Sequence, residues 1–257
     1  MTTTQTVPPS RPKVIAVCIP GETFSGMWVS HWTSLMGGLM QKYIIATHTS
    51  YSSNVYVTRA CLIESVASQV LTPDYVLWID DDNLITLGAV QTLIDDLDRH
   101  PELDAVCGWT WIQPDGYAIP AIVSCGHLTR QGKCAPLTHE AIRSKSPGDL
   151  IPVDYSGFPI VVMRPSLLLD AGPHPFAPIL SAEYEFGFSG EDVAFWTHAR
   201  DRAGAHLAMD PRVCVPHLKL RAVDPFRDLA SQTNSAALAP TPAIRQGQGQ
   251  GSGKAAA

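Results

Sequence analysis

Tyr75-Val76-Leu77-Trp78-Ile79-Asp80-Asp81-Asp82-Asn83 decides how the rest of the chain is read. Its five leading apolar or aromatic residues predict a strand buried on both faces of a sheet. Three carboxylates follow at the C-terminal end of that strand, where an open α/β sheet places its ligands. Adjacent like charges repel. A divalent cation held through hard oxygen donors offsets that repulsion and leaves coordination sites free for phosphate. The alternative is a solvated turn in which Asp or Asn caps the next helix.

Upstream, Val14 to Ile19 reads as a first strand stopped by Pro20-Gly21. Phe24 to Met40 is apolar enough for a helix, with Gly37-Gly38 weakening its end. Tyr43 to Thr47 is a second strand, and Val57 to Gln69 alternates at helical spacing. After the triple Asp, a helix through Ala89 to Arg99 turns Leu93, Ile94 and Leu97 inward and Asp95, Asp96 and Asp98 outward. This alternation predicts an α/β fold with a mostly parallel central sheet flanked by helices.

Beyond residue 104 the pattern changes. Ala105 to Trp111 and Ala118 to Cys125 are strand-like, separated by a Pro114-Asp115-Gly116 turn, and a polar loop runs from Gly126 to Asp149. Ile160 to Arg164 is a strand and Ser166 to Ala171 a short helix. Pro173 to Phe188, rich in proline and aromatics, reads as a mobile loop over a site. Ser189 is the expected N-cap of a helix over Val193 to Ala203, after which Ala205 to Met209 and Arg212 to Val215 close the core before Pro216-His217. The boundaries give a flexible arm (1–12), one domain (13–227) and a low-complexity tail (228–257).

Apolar residues make up 45% of the 257 and charged residues 16%, which excludes a disordered chain. The net charge of −6 gives no global attraction to nucleic acid, although Arg130, Lys133, Arg143 and Lys145 offer local positive charge. The six cysteines show no C-x-x-C pair or zinc spacing and are expected to be reduced in a cytoplasmic protein. The first residues lack the apolar core of a signal peptide. No run reaches the roughly 18 apolar residues of a membrane span, so no membrane insertion is expected.

Four pieces stand in order: Pro20-Gly21, Asp80-Asp81-Asp82, Gly190-Glu191-Asp192 and Pro216-His217. In that order they resemble a GT-A glycosyltransferase of the family-2 type, particularly its short soluble bacterial and phage forms, over residues 13–222. Asp80-x-Asp82 is similar to the family's D-x-D motif, and Val57-Thr58-Arg59-Ala60 resembles its arginine-bearing helix start. Asp154 to Arg164 resembles the acceptor-side segment, Glu191-Asp192 the acidic pair, and His217 the histidine after the last core strand.

The resemblance implies a Rossmann-like GT-A fold with a nucleotide-sugar half (13–104) and a smaller, antiparallel acceptor half (105–227). It implies a nucleotide-sugar, UDP-linked before GDP-linked, bound by Pro20, Gly21, Arg59, Asp80, Asp81 and Asp82. Asp82 and His217 would hold Mn2+, or Mg2+, to stabilise charge on the departing nucleoside diphosphate. Asp192, or Glu191, would act as base in an inverting transfer, its charged form stabilised by the helix dipole. Gly157 and Trp109 fall on the acceptor side. The acceptor hydroxyl would belong to a glycan, a small molecule or a hydroxymethylated base in DNA. The last would place a phage-encoded enzyme in its host's cytoplasm.

Each of these residues also has a purely structural reading: first-turn acids for Glu191-Asp192, a satisfied core histidine for His217, a helix-start ion pair for Arg59 and a turn for Gly157. Two further functions stay open. A nucleotidyltransferase usually carries a basic Gly-rich loop after its first strand, and Pro20-Gly21-Glu22-Thr23 has no lysine or arginine. A nucleotide- or carbohydrate-binding module without catalysis is the other.

Overall fold

The computed structural model describes residues 11–112, 121–129, 133–182, 184 and 187–219. Val14–Pro20 (β1), Gly26–Leu39 (α1), Ile44–Ser50 (β2), Val55–Ser68 (α2), Tyr75–Ile79 (β3) and Leu87–Arg99 (α3) follow the expected strand–helix alternation. The chain continues through Ala105–Trp109 (β4), Trp111–Ile112 (β5), Ile122–Val123 (β6), Cys125–Leu128 (β7), Cys134–Pro136 (β8) and His139–Arg143 (α4). Ile151–Val153 (β9), Tyr155–Ser156 (β10), Ile160–Met163 (β11), Pro165–Asp170 (α5), Glu191–Ala203 (α6) and Leu207–Cys214 (β12) complete it. These elements belong to one compact unit, Met1–Leu218, and a second unit comprises Lys219–Ala257. The expected tail (228–257), the Pro114-Asp115-Gly116 turn and Arg130 lie outside the described residues.

The central sheet runs β2-β1-β3-β11-β4-β12-β9. β1 pairs in parallel with β2 and β3, and β12 with β4. β11 is antiparallel to both β3 and β4, and β9 to β12. Separate antiparallel ladders, β10-β7-β8 and β5-β6, make up the smaller portion. The fold is therefore the α/β arrangement the sequence predicts, with β11 inserted against the prevailing direction.

Period-2 alternation along the strands feeds two cores, one on each face. Ile15, Val17, Ile19, Leu77 and Ile79 point to the face covered by α1 and α3, where Leu35, Leu39, Leu93, Ile94 and Leu97 meet them. Ala16, Cys18, Val76 and Trp78 point to the other, where Leu62, Leu167, Phe195 and Trp196 pack from α2, α5 and α6. α1 lies so close to Leu87 that a Cβ on Gly38 would sit 2.4 Å from Leu87 Cδ2. The glycine that weakens the helix end thus lets it dock.

Three expectations need correction. The supposed loop over 126–149 carries β7, β8 and α4, elements too short to show a period. Within Pro173 to Phe188, Phe176 is core, stacked on Phe195 at 4.8 Å, so this part of the loop is anchored. Asp95 and Asp98 face solvent, but Asp96 is buried beside Asp210. Arg212 Nη2 reaches Asp96 Oδ1 at 2.9 Å and Asp210 Oδ2 at 2.6 Å, and Arg99 also pairs with Asp96. Helix periodicity gives the face but not the partner, and an arginine from β12 supplies that partner.

Burial and the bond from Asp210 push Asp96 up to about 6. Burial opposes, but bonds from Arg212 and Asp96 hold Asp210 below its ordinary value. Arg212→Ala should cost about 2 kcal/mol, less than a fully buried pair because Arg212 is partly exposed. The loss should be largest near pH 7.5 and shrink toward pH 5, where one of the two abandoned carboxylates takes a proton. Urea unfolding at the two pH values checks both the size and the sign.

Candidate active site

The end of β3 turns at Asp80, whose carbonyl accepts from the Asn83 N–H at 3.3 Å. Residues 216–218 then lie alongside this turn. Leu84 N donates to Pro216 O at 3.0 Å, Leu218 N to Asp82 O at 2.6 Å, and Asn83 bridges to His217. This backbone seam brings His217 Nε2 to 2.7 Å from Asp82 Oδ2. His217 Nδ1 stands 3.2 Å from the Trp111 carbonyl. Both partners are acceptors, so two hydrogen bonds require a proton on each ring nitrogen. With a neutral ring that donates to the carbonyl, the Nε2 lone pair faces a carboxylate oxygen, and the two atoms are the ones that would hold a cation.

Among the described residues, no group of three or more His, Cys, Asp or Glu side chains could hold a metal ion. Asp82 and His217 meet as a pair of donors, one carboxylate and one imidazole.

Gly21, just past β1, packs against the next carboxylate. Its N–H donates to Ser50 O at 3.0 Å, and a Cβ there would lie 2.4 Å from Asp81 Oδ2 and 2.7 Å from Asp81 Cβ. Asp81 is raised by burial and by the neighbouring Asp82 charge.

Arg59, on α2, is buried behind the triple Asp. Its Nη2 donates to Asp80 Oδ1 at 3.0 Å, and its Nε lies 3.6 Å from Glu191 Oε1. The guanidinium sits 4.8 Å over the Phe158 ring and within 6 Å of Phe176 and Trp78. Nε and Nη1 are buried without a hydrogen-bond partner. Burial pushes Asp80 up to about 7 against the pull of Arg59, with Asp82 adding to the rise. The arginine thus joins the β3 end to the start of α6 beneath the cleft surface.

α6 begins at Glu191 with Gly190 as N-cap and no side-chain cap bond. Ser189 is not the cap: it is buried, and its Oγ accepts from Ile179 N at 3.0 Å. Asp192 Oδ1 accepts from the Val193 N–H at 2.7 Å. Its other oxygen, Oδ2, would lie 3.6 Å from a Cβ placed on Gly157. Burial, then the Glu191 charge, push Asp192 up to about 6, opposed by the Val193 N–H and Arg59. Desolvation therefore outweighs the helix-terminus stabilisation expected from sequence.

Sequence reasoning missed Phe158. It holds φ at +59°, a left-handed conformation that bulky residues rarely adopt. Trp196 stacks on it at 5.4 Å, and Trp78, Phe176 and Phe195 surround it. That kink sets Gly157 beside Asp192 and the Phe158 ring under Arg59. Neither the Ser156-Gly157-Phe158 composition nor its apolar flanks announce the strain. Trp109 is core, its Nε1 donating to Pro211 O at 3.1 Å, whereas Trp111 is 39% exposed.

No protein-family model and no curated protein matches the chain. Among solved structures it is similar to A197 from STIV, at 13% identity and a TM-score of 0.46 over 82% of this chain and 96% of that one. It is also similar to glucosyl-3-phosphoglycerate synthase from Mycobacterium tuberculosis in complex with Mn2+, UDP and phosphoglyceric acid, at 16% identity and a TM-score of 0.44 over 90% and 80%. A third is a CMP:2-keto-3-deoxy-manno-octonic acid synthetase complexed with CTP, at 13% identity and a TM-score of 0.43 over 88% and 99%. At these values the likenesses decide neither reaction nor ligand.

Arg59→Leu should destabilise the protein by about 3 kcal/mol, because two recessed carboxylates lose their cation. Adding Asp80→Asn should recover part of that loss by removing one of the stranded charges. Urea midpoints of the single and double variants test this, and a double variant as weak as the sum of its parts would disprove the coupling.

Proposed function

We propose that the chain is a glycosyltransferase moving a sugar from a nucleotide-sugar, UDP-linked before GDP-linked, to an acceptor hydroxyl. The observation that carries the reading is the meeting of Asp82 and His217 at 2.7 Å across the C-terminal end of β3. It stands on the resemblance of Asp80-x-Asp82, Glu191-Asp192 and His217 to the motifs of family-2 GT-A enzymes.

The carboxylate–imidazole pair suits Mn2+ or Mg2+, with the remaining coordination left to water and diphosphate oxygens. When bound, the ion supplies charge stabilisation on the leaving nucleoside diphosphate. Asp82 and His217 are the residues that would hold it. Asp80, fixed by Arg59, faces the ribose or sugar, and Pro20-Gly21 closes the nucleotide side against Asp81. Asp192 is the base: Oδ1 is held by the Val193 N–H, leaving Oδ2, beside Gly157, to take the acceptor proton. The acceptor hydroxyl belongs to a glycan, a small molecule or a modified DNA base.

Thermal shifts with nucleoside diphosphates and nucleotide-sugars, each with and without Mn2+, provide the first test. Stabilisation requiring both nucleotide and metal, and lost in Asp82→Ala, is expected. No shift with any nucleotide in the presence of metal overturns the reading, and turnover of a nucleoside triphosphate with pyrophosphate release replaces it with nucleotidyl transfer.

A base raised to about 6 must be ionised to work, so kcat/KM should level off above that pH and fall about tenfold per unit below it. Asp192→Asn should lose about a hundredfold or more in kcat while nucleotide affinity holds. A profile still showing that limb in the Asn variant would remove Asp192 from the role.

A further inference from the structure

A single exposed apolar side chain is ordinary on a protein surface, so the exposure of Trp111 alone says little. Its mounting says more. The Trp111 carbonyl takes the His217 Nδ1 bond at 3.2 Å, so the residue is one hydrogen bond from the Asp82–His217 pair. On its other side Trp111 pairs with Val123 in the β5-β6 ladder. The next residue, Ser124, accepts from Thr110 N through Oγ at 3.0 Å and from Gly157 N through its carbonyl at 2.8 Å. Gly157 lies against Asp192. One continuous set of backbone and side-chain contacts therefore runs from the leaving-group end of the site, past Trp111, to the base.

The indole is also fixed in angle. Trp109 meets it at 5.9 Å and 76°, and His139 from α4 at 5.5 Å and 68°. Trp109 is itself pinned through Nε1 to Pro211 O. The result is one buried ring, Trp109, set against two exposed ones, Trp111 and His139.

Charge narrows what can lie there. Asp80, Asp81, Asp82, Glu191 and Asp192 gather at the end of β3 and the start of α6, and Arg59 is committed to Asp80 and Glu191. An acceptor polyanion lying beside these acids and beside the donor's diphosphate finds little counter-charge, whereas a neutral ring with an apolar face and rim hydroxyls needs none. Arg143, at the far end of α4, makes nucleic acid the rival occupant.

We propose that the Trp111 indole is the acceptor platform, with His139 set at an angle beside it, and that the acceptor placed there is the pyranose ring of a neutral glycoside, stacked through its C–H face. This rests on the transferase reading above, and the experiment separates the two. Saturation-transfer NMR is run on the full chain with Mg2+ and with UDP or GDP, using methyl β-glucopyranoside, methyl β-galactopyranoside, methyl α-mannopyranoside and an oligothymidylate as probes, with UDP and GDP affinity measured alongside.

Transfer to the ring protons of at least one glycoside is expected. Its affinity should fall about tenfold in Trp111→Ala, fall less in His139→Ala and largely return in Trp111→Tyr, with nucleotide affinity constant throughout. Intact nucleotide binding with no glycoside signal, a glycoside signal indifferent to Trp111→Ala, or transfer to the oligothymidylate alone overturns the platform and leaves the transferase reading standing. Failure of the wild-type chain to bind either UDP or GDP overturns both.

Discussion

A guanidinium placed out of reach of water, with carboxylates on two sides and aromatic rings beneath, is the constraint around which this molecule is arranged. Arg59 is too costly to bury alone, and its compensation comes from residues far apart in the chain: Asp80 at the end of β3, Glu191 at the start of α6, and the Phe158, Phe176 and Trp78 rings. Each partner must therefore be in place for the others to be tolerated. The carboxylates benefit in turn, since without that cation the charges of Asp80 and Glu191 would stand near each other uncompensated. The left-handed kink at Phe158 belongs to the same arrangement: it puts a ring under the arginine and leaves a side-chain-free residue next to Asp192.

The sequence was most readable where one physical demand dominated. The run from Tyr75 to Ile79 has no hydrophilic member and is buried throughout, so both its strand character and its central position followed from composition. α3 announced itself through its inward Leu93, Ile94 and Leu97, all buried. The meeting of Asp82 with a histidine 135 positions later was not visible in local pattern and came only through motif order.

Elsewhere a long-range partner overrode a local rule. Asp96 belongs on the wet face of its helix by charge, yet Arg212 and Arg99 make it an interior residue. Ser189 has the chemistry of a cap, but a neighbouring loop amide claims its hydroxyl. Asp192 sits at a helix N-terminus, where a carboxylate should ionise easily, and its burial together with the Glu191 charge reverses the effect. The small ladders between 122 and 136 are too short for any period to register. In each case the missing information is tertiary.

The reversed strand β11 has a consequence for how this sheet comes into being. Residues 14–79 supply three strands that pair with one another in the order β2-β1-β3, and β4 follows soon after. Yet β3 and β4 never touch edge to edge, because Ile160–Met163 occupies the gap and pairs with both. Until that segment arrives, each flank presents an unsatisfied apolar edge, one on β3 and one on β4, of the kind that recruits neighbouring chains. Completion requires a distant four-residue strand to enter a slot bounded on both sides, which is an entropically slow closure. During synthesis, that leaves a period in which the nascent sheet depends on helices α1 and α3, or on a chaperone, to stay out of aggregates.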